Sequence, residues 1–426
     1  MIPDVAVTAG ATAAWPAARS SSAVHAARRR QVRAALPIAL VLAAIPLAYH
    51  WFGQSPLAVL WLFGLAFGIV LQRSRFCFAS AFRDLYLFGE GRVLKGIIIG
   101  MAVATVGFAL IMGKLVADPA AGALPARAGV YPLSYQTILG GFIFGLGMVV
   151  AGGCASGTLY RIGEGYVASL VTLAGMLGGM YLLALTWVWW WVGVISMAPR
   201  VWLPHRLGWA GGLLVVLAAL GAGYALVLWW EGRRGLSGGG TDLDARPVPA
   251  GTSPAAATWQ TVFSRAWPAA LGGLLLGVLN TFEYLFQQPW GVTTEMALWA
   301  GWLARLAGAP AEGLAYFGAR PAGIELLKHP PWLSGGAMID LGIVGGALLA
   351  ALLANEFKLR APRAPRRYGQ ALVGGVLMGY GARLAQGCNI GAFFSAIPAL
   401  AANGWVFAAG LALGCYAGVH VIRRLA

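Results

Sequence analysis

The chain has 426 residues, 59% of them hydrophobic and only 10% charged, with a mean hydropathy of +0.73. Soluble domains average about 25% charged residues, so the composition excludes an ordinary soluble enzyme or binding module and predicts an all-α, polytopic membrane protein. The net charge of +16 sits in arginine clusters beside apolar runs, the pattern of cytoplasmic loops, and no basic, aromatic-interleaved domain is left over for nucleic acid.

Residues 1–35 are rich in Ala, Ser and Arg and are expected to form a disordered N-terminal extension. It carries Arg28, Arg29, Arg30 and Arg33. No small-x-small cleavage site follows the first apolar run, so no signal peptide is expected. A first membrane half, 36–230, then presents apolar runs at Leu36–Phe52, Pro56–Leu71, Val93–Gly113, Ile138–Val150, Val167–Met197 and Leu207–Trp230. Lys95 lies near the end of its run, where it can snorkel to the headgroups. Trp187, Trp189, Trp190 and Trp191 read as an interfacial belt.

Residues 231–265 turn polar and are expected to connect the halves. The second half, 266–426, offers runs at Trp267–Leu285, Thr293–Leu306, Ala337–Ala354, Gln370–Leu384, Ile390–Ala401 and Trp405–Ile422. Arg360, Arg363, Arg366 and Arg367 share one loop, and Arg423 and Arg424 lie at the C-terminal end. Both ends of the chain are therefore expected on the cytoplasmic side.

Two segments are near copies. GGFIFGLGMVVAGGCASG (Gly140–Gly157) and GGVLMGYGARLAQGCNIG (Gly374–Gly391) match at six glycines, at Ala151/Ala385 and at Cys154/Cys388. This is an internal duplication. Ile138–Val150 and Ile390–Ala401 are about half the length of a spanning helix, and short, Gly-interrupted runs at matching positions of two halves point to a transport site. Glycines also let helices pack closely; the cysteine at one offset in both copies favours a site.

The residues after each cysteine are placed to open a helix whose N–H groups and dipole face an anion. A thiol there can ionise and act as a nucleophile, or stay protonated and offer an S–H donor to a polarisable sulfur; simple burial is the third account. Cys77 lies in QRSRFCFASAFRD among Arg73, Arg75 and Arg83, which attract anions or simply mark a cytoplasmic loop. The corresponding stretch of the second half is QQPWGVTT, with Gly291 in place of the cysteine. Cys415 is assigned to packing. Glu283 and Asp340, in or beside apolar runs, are functional candidates by location, although capping accounts equally well for Asp340. No Cys-x-x-Cys or paired histidine suggests a metal.

The stretches FGLGMVVAGGCASG, LMGYGARLAQGCNIG and QRSRFCFASAFRD resemble the YeeE/YedE sulphur-transport family of bacterial inner-membrane proteins, with architectural similarity from about Pro56 to Ile422. The resemblance implies a bundle of two pseudo-symmetric halves whose short or re-entrant helices meet near the membrane centre. It implies thiosulfate uptake, with thiols relaying the anion by S–H···S contacts, no catalytic residue and no cofactor. The relay and binding residues expected on this basis are Cys77, Cys154, Cys388, Gly153, Gly387, Asn389, Ser156 and Arg75. A small TusA-like cytosolic sulfur carrier is the implied partner. The N-terminal extension, the Leu36–Phe52 run and the long connector look more like the family's longer branch, for which selenium or other sulfur species are alternative cargo. The rival readings are a membrane thiol–disulfide conductor, which requires a Cys154–Cys388 disulfide in turnover, and a sulfurtransferase that forms a persulfide.

Overall fold

A computed structural model describes residues 21–234, 260–318 and 330–425. Residues 1–20 of the expected extension and 235–259 of the expected connector lie outside them. No strand forms among the described residues, and nine helical segments there are long and apolar enough to cross a membrane.

In chain order the helices are α1 (Ser21–Trp51), α2 (Ser55–Arg73), α3 (Phe78–Phe88), α4 (Arg92–Leu115), α5 (Tyr135–Ala151), α6 (Ala155–Gly163), α7 (Val167–Trp190) and α8 (Pro204–Arg233). After the connector come α9 (Ala269–Phe286), α10 (Thr293–Leu306), α11 (Gly335–Leu353), α12 (Arg366–Leu384) and α13 (Ala402–Leu425). Two departures from the sequence reading stand out. Helix α1 begins at Ser21, so residues 21–35 are helical and not a disordered extension, because the Ala- and Arg-rich stretch continues an apolar run with good helix formers. The segment expected as a part-span over Ile390–Ala401 is a π-helix only over Asn389–Ser395, followed by turns.

The bundle is held by glycines. Without a hydrophobic drive between helices in lipid, association depends on close packing and small interfacial residues. A Cβ on Gly140 of α5 would stand 2.7 Å from the Ala385 nitrogen, and one on Gly374 of α12 would stand 2.5 Å from the Ala151 nitrogen. The same pattern joins α7 to α12, α5 to α13, α2 to α11, and α4 to α9, where Gly273 lies against the Gly96 carbonyl.

Hydrogen bonds show which ends share a face of the bundle. Gln31 Nε2 reaches the Phe357 carbonyl at 3.0 Å, Val167 N donates to the Arg360 carbonyl at 3.1 Å, and Trp267 N donates to the Arg73 carbonyl at 2.8 Å. Lys95 pairs with Glu231 on that face at 2.8 Å. The opposite face is tied by Leu133 N to the Pro199 carbonyl at 2.9 Å and Leu203 N to the Leu400 carbonyl at 3.0 Å.

Gly379 is among the positions most sensitive to added bulk, because its missing side chain is replaced by the Met176 carbonyl of α7. Gly379→Val is expected to cost about 1–3 kcal/mol or more through overpacking. The check is the thermal unfolding midpoint of detergent-purified protein, which should fall by several degrees.

Candidate functional site

One local device recurs at three cysteines. Two residues before each, the backbone enters the left-handed region: Arg75 at φ 50°, Gly152 at φ 79° and Gln386 at φ 60°. The cysteine itself is extended, at φ −132° for Cys77, −88° for Cys154 and −95° for Cys388, and it occupies the cap position of the helix that follows. The chain thus leaves one helix, turns, and starts another at a thiol. Glycine fits the left-handed turn at Gly152 without strain, whereas Arg75 and Gln386 adopt it at a cost.

The sulfurs replace the usual oxygen caps. Gly157 N donates to Cys154 Sγ at 3.3 Å, and Ile390 N donates to Cys388 Sγ at 3.4 Å. Each sulfur therefore accepts an otherwise orphaned helix amide, and its own S–H stays available as a donor. Ser156 Oγ adds a contact to Cys154 Sγ at 3.6 Å.

Cys77 and Cys154 come together, with Sγ–Sγ at 4.0 Å, and all four cysteines are free. Both sulfurs lie over Gly157: a Cβ there would sit 3.1 Å from Cys154 Sγ and 3.2 Å from Cys77 Sγ. A side chain at 157 would fill the space beside the pair.

The pair lies beneath a cavity of 840 Å³ lined by Cys77, Arg75, Tyr160, Arg161, Glu356 and Arg360 among others. Glu356 organises its rim, bonding Arg73 at 3.4 Å and Arg75 at 3.0 Å. Burial pushes the Glu164 carboxyl up from its ordinary value, against a hydrogen bond from Gln72 and the charge of Arg161. Arg75 faces this rim and Arg83 pairs with Asp84; neither arginine bonds Cys77.

The basic group nearest the motif is one that sequence reasoning left out. Arg161 donates to the Gly152 carbonyl, and a Cβ on Gly153 would meet its guanidinium at 3.2 Å. Its signal was in the sequence: Arg161 follows Gly157 by four and so shares one face of α6.

Cys388 occupies a second, fully buried place. Asn389 beside it is 0% exposed, and neither its Oδ1 nor its Nδ2 bonds the protein. A missing Cβ at Gly387 leaves room for Ala392. Between the two cysteine places runs an aromatic string: Phe78 meets Phe394 edge-on at 5.6 Å, Phe394 meets Trp290 at 6.2 Å, and Trp290 stacks on Phe67 at 4.0 Å. Trp290 belongs to the QQPWGVTT stretch that lacks a cysteine. Asn280 holds it by accepting its backbone N–H at 2.8 Å.

Among the described residues no cluster of His, Cys, Asp and Glu is arranged to hold a metal. The arrangement is one of soft donors and small gaps.

Comparison with known proteins identifies the family. A family described as sulphur transport matches residues 73–417, which takes in all three cysteine motifs. The chain belongs to that sulphur-transport family. A thiosulfate transporter, TsuA, from Spirochaeta thermophila is 32% identical over 377 residues, covering 85% of this chain and 98% of the relative. TsuA of Escherichia coli is 29% identical over 371 residues, covering 83% and 91%. The probable transporter YedE of Escherichia coli is 40% identical over 172 residues, covering 38% and 41%. The chain is thus a multi-pass membrane protein of a transporter family.

The left-handed turn before each thiol is testable by its strain. Gln386→Gly should raise the unfolding midpoint, and Gly152→Val should lower stability by about 1–2 kcal/mol, the cost of a left-handed β-branched residue. Calorimetry of the two variants checks the opposite signs.

Proposed function

We propose that the chain is a bacterial inner-membrane permease that takes up thiosulfate, with Cys388, Cys154 and Cys77 as successive stations. The observation that carries the reading is the Cys77–Cys154 sulfur pair over the bare face of Gly157. Thiosulfate differs from sulfate by a soft terminal sulfur, and thiols are the side chains that match softness. The hard oxygens would face the amides at the starts of α6 and of the Asn389–Ser395 segment, with the free Asn389 amide as a further donor. Contacts this weak suit transport, since a station must release as readily as it binds.

The duplication and the reciprocal glycine contacts support a two-fold relation between the halves, with α5 and α12 as its central pair. Cys154 and Cys388 are then equivalent stations on opposite sides of the aromatic string. The face bearing Arg75, Lys358 and Arg360 is the cytoplasmic one by its basic loops, so cargo would leave through the 840 Å³ cavity. A small TusA-like carrier would receive it there. Phe78, Phe394 and Trp290 form the apolar barrier that opens in passage.

The experiment is uptake of labelled thiosulfate by cells deficient in sulfate uptake, with thiosulfate as sole sulfur source and a panel of sulfur and selenium anions as competitors. Cys154→Ala, Cys388→Ala and Cys77→Ala should each reduce uptake about tenfold or more, the effect of losing roughly 1.4 kcal/mol at the barrier. Normal growth of all three at equal expression removes the thiols from the mechanism.

A thiol–disulfide conductor is favoured by the same 4.0 Å pair, though through Cys77 and Cys154 and not through Cys154 and Cys388. Alkylation trapping during turnover separates the readings: thiols that stay reduced while anion accumulates exclude the conductor.

A further inference from the structure

Three carboxylates lie within the bundle with no cation paired to them. Asp340 is 0% exposed, Glu283 1% and Glu295 4%. Neither oxygen of Asp340 bonds the protein, and one oxygen of Glu283 and one of Glu295 are likewise without a partner. Ion pairs among the described residues leave all three out. A charged carboxylate in such a place is costly unless paired. The clusters present do not suit a metal. The remaining occupant is a proton.

Their placement follows from helix register. Ser334 is the residue at the start of α11, and its hydroxyl donates to Glu295 Oε2. A Cβ on Gly336 would lie 2.8 Å from that same oxygen, so the Glu295 carboxylate rests on the Gly336 face of α11. Asp340 is four residues further on, one turn deeper on that face, with its side chain tilted back toward Glu295. Capping, the alternative account of Asp340, fails because Ser334 holds the helix start and Asp340 lies a turn and more inside.

Asp340 is within electrostatic range of Glu295 on α10, Cys388 ahead of the π-helix, and Glu283 on α9. The cations of the surrounding elements face elsewhere: Arg383 on α12 bonds Tyr316 and Thr294, Arg161 on α6 bonds Gly152, and Arg73 on α2 bonds Glu356. The half-buried Ser334, Glu295 and Asp340 thus follow one another along the Gly336 face of α11, and the Asn389 amide beside Cys388 is free.

From this geometry we infer that Glu295 and Asp340 are a proton site coupled to the anion station at Cys388, so that the dianion enters together with protons. The inference rests on the permease reading and adds its energy source. A dianion opposed by a membrane potential of about 100 mV is excluded roughly a thousandfold or more, and a transporter that accumulates it needs compensating positive charge. Protonated carboxyls tolerate an anion beside them; ionised ones repel it at low dielectric. Anion and proton therefore favour each other's binding, and the coupling is reciprocal.

The test uses the purified full chain in liposomes holding a trapped pH dye, with the potential clamped at zero and labelled thiosulfate as the probe. The lumen should acidify in step with uptake. An inward gradient of about two pH units should raise the accumulation ratio about 100-fold for each coupled proton, a factor of ten per unit. Asp340→Asn and Glu295→Gln should abolish both the stimulation and the dye signal.

Wild-type uptake that neither acidifies the lumen nor responds to the gradient overturns the coupling and leaves the permease standing. This arm needs no variant, so a misfolded Asp340→Asn does not shelter the idea. Full stimulation in both variants overturns the assignment to these residues. Absence of any wild-type uptake strikes the permease reading itself, and the coupling falls with it.

Discussion

A sulfur that accepts the first free amide of a buried helix is the contact on which this architecture turns. In hydrocarbon every backbone donor must be satisfied from within the protein, so a chain cannot break and restart a helix at membrane depth without supplying a cap. Serine or aspartate would serve in water-exposed proteins. Here Cys154 and Cys388 do so, and each keeps its S–H free to point at something else. The left-handed turn before each cysteine ends one helix and lets the next start at a new angle, while the chain continues across: α5 begins by Leu133 on one face and α6 ends beside Lys358 on the other. In the proposed relay, cap and station would be one atom.

The glycine contacts make that device possible. Short helices that start inside the bundle fit only where the full-length helices around them lie unusually close. The close approach comes from Gly140 and Gly374 across α5 and α12, and from Gly96 and Gly273 across α4 and α9. Removing side chains from these faces leaves the interior free for Gly157, Gly153 and Gly387 to bring thiol, guanidinium and backbone together. The same economy explains why charged groups inside the bundle are few and differently used. Arg161 is held against a carbonyl, whereas Asp340 has no partner at all.

Much of this was legible in the residues. The paired GC motifs announced both the thiols and the helix starts at Ala155 and Asn389, because a cysteine flanked by glycine after an apolar run has few other uses. Apolar run lengths matched most of the long helices to within a few residues, but α1 starts fifteen residues earlier than its run and the short α3 and α6 had no run of their own. Contacts between distant segments were not legible: nothing in QRSRFCFASAFRD says that Cys77 meets Cys154 and leaves Arg75 to Glu356. Asp340 was ambiguous because distance from a helix start is invisible until the cap, Ser334, is known. The Trp290 stretch looked like a lost motif, yet its aromatic ring stacks on Phe67 and meets Phe394 of the segment that follows Cys388. The π-helical winding of Asn389–Ser395 has no cue in composition, since π and α turns draw on the same residues.

The central claim is that thiols capping buried helices touch the soft end of the passing anion. Selenosulfate, in which selenium replaces the terminal sulfur, tests it directly through anomalous scattering from a crystal of the anion-loaded protein. The account predicts a selenium peak in van der Waals contact with Cys77 and Cys154 Sγ, or with Cys388 Sγ, and oxygens turned toward the helix amides. Selenium lying in the outer cavity against Arg75 or Arg360, with no density beside any thiol, would contradict it.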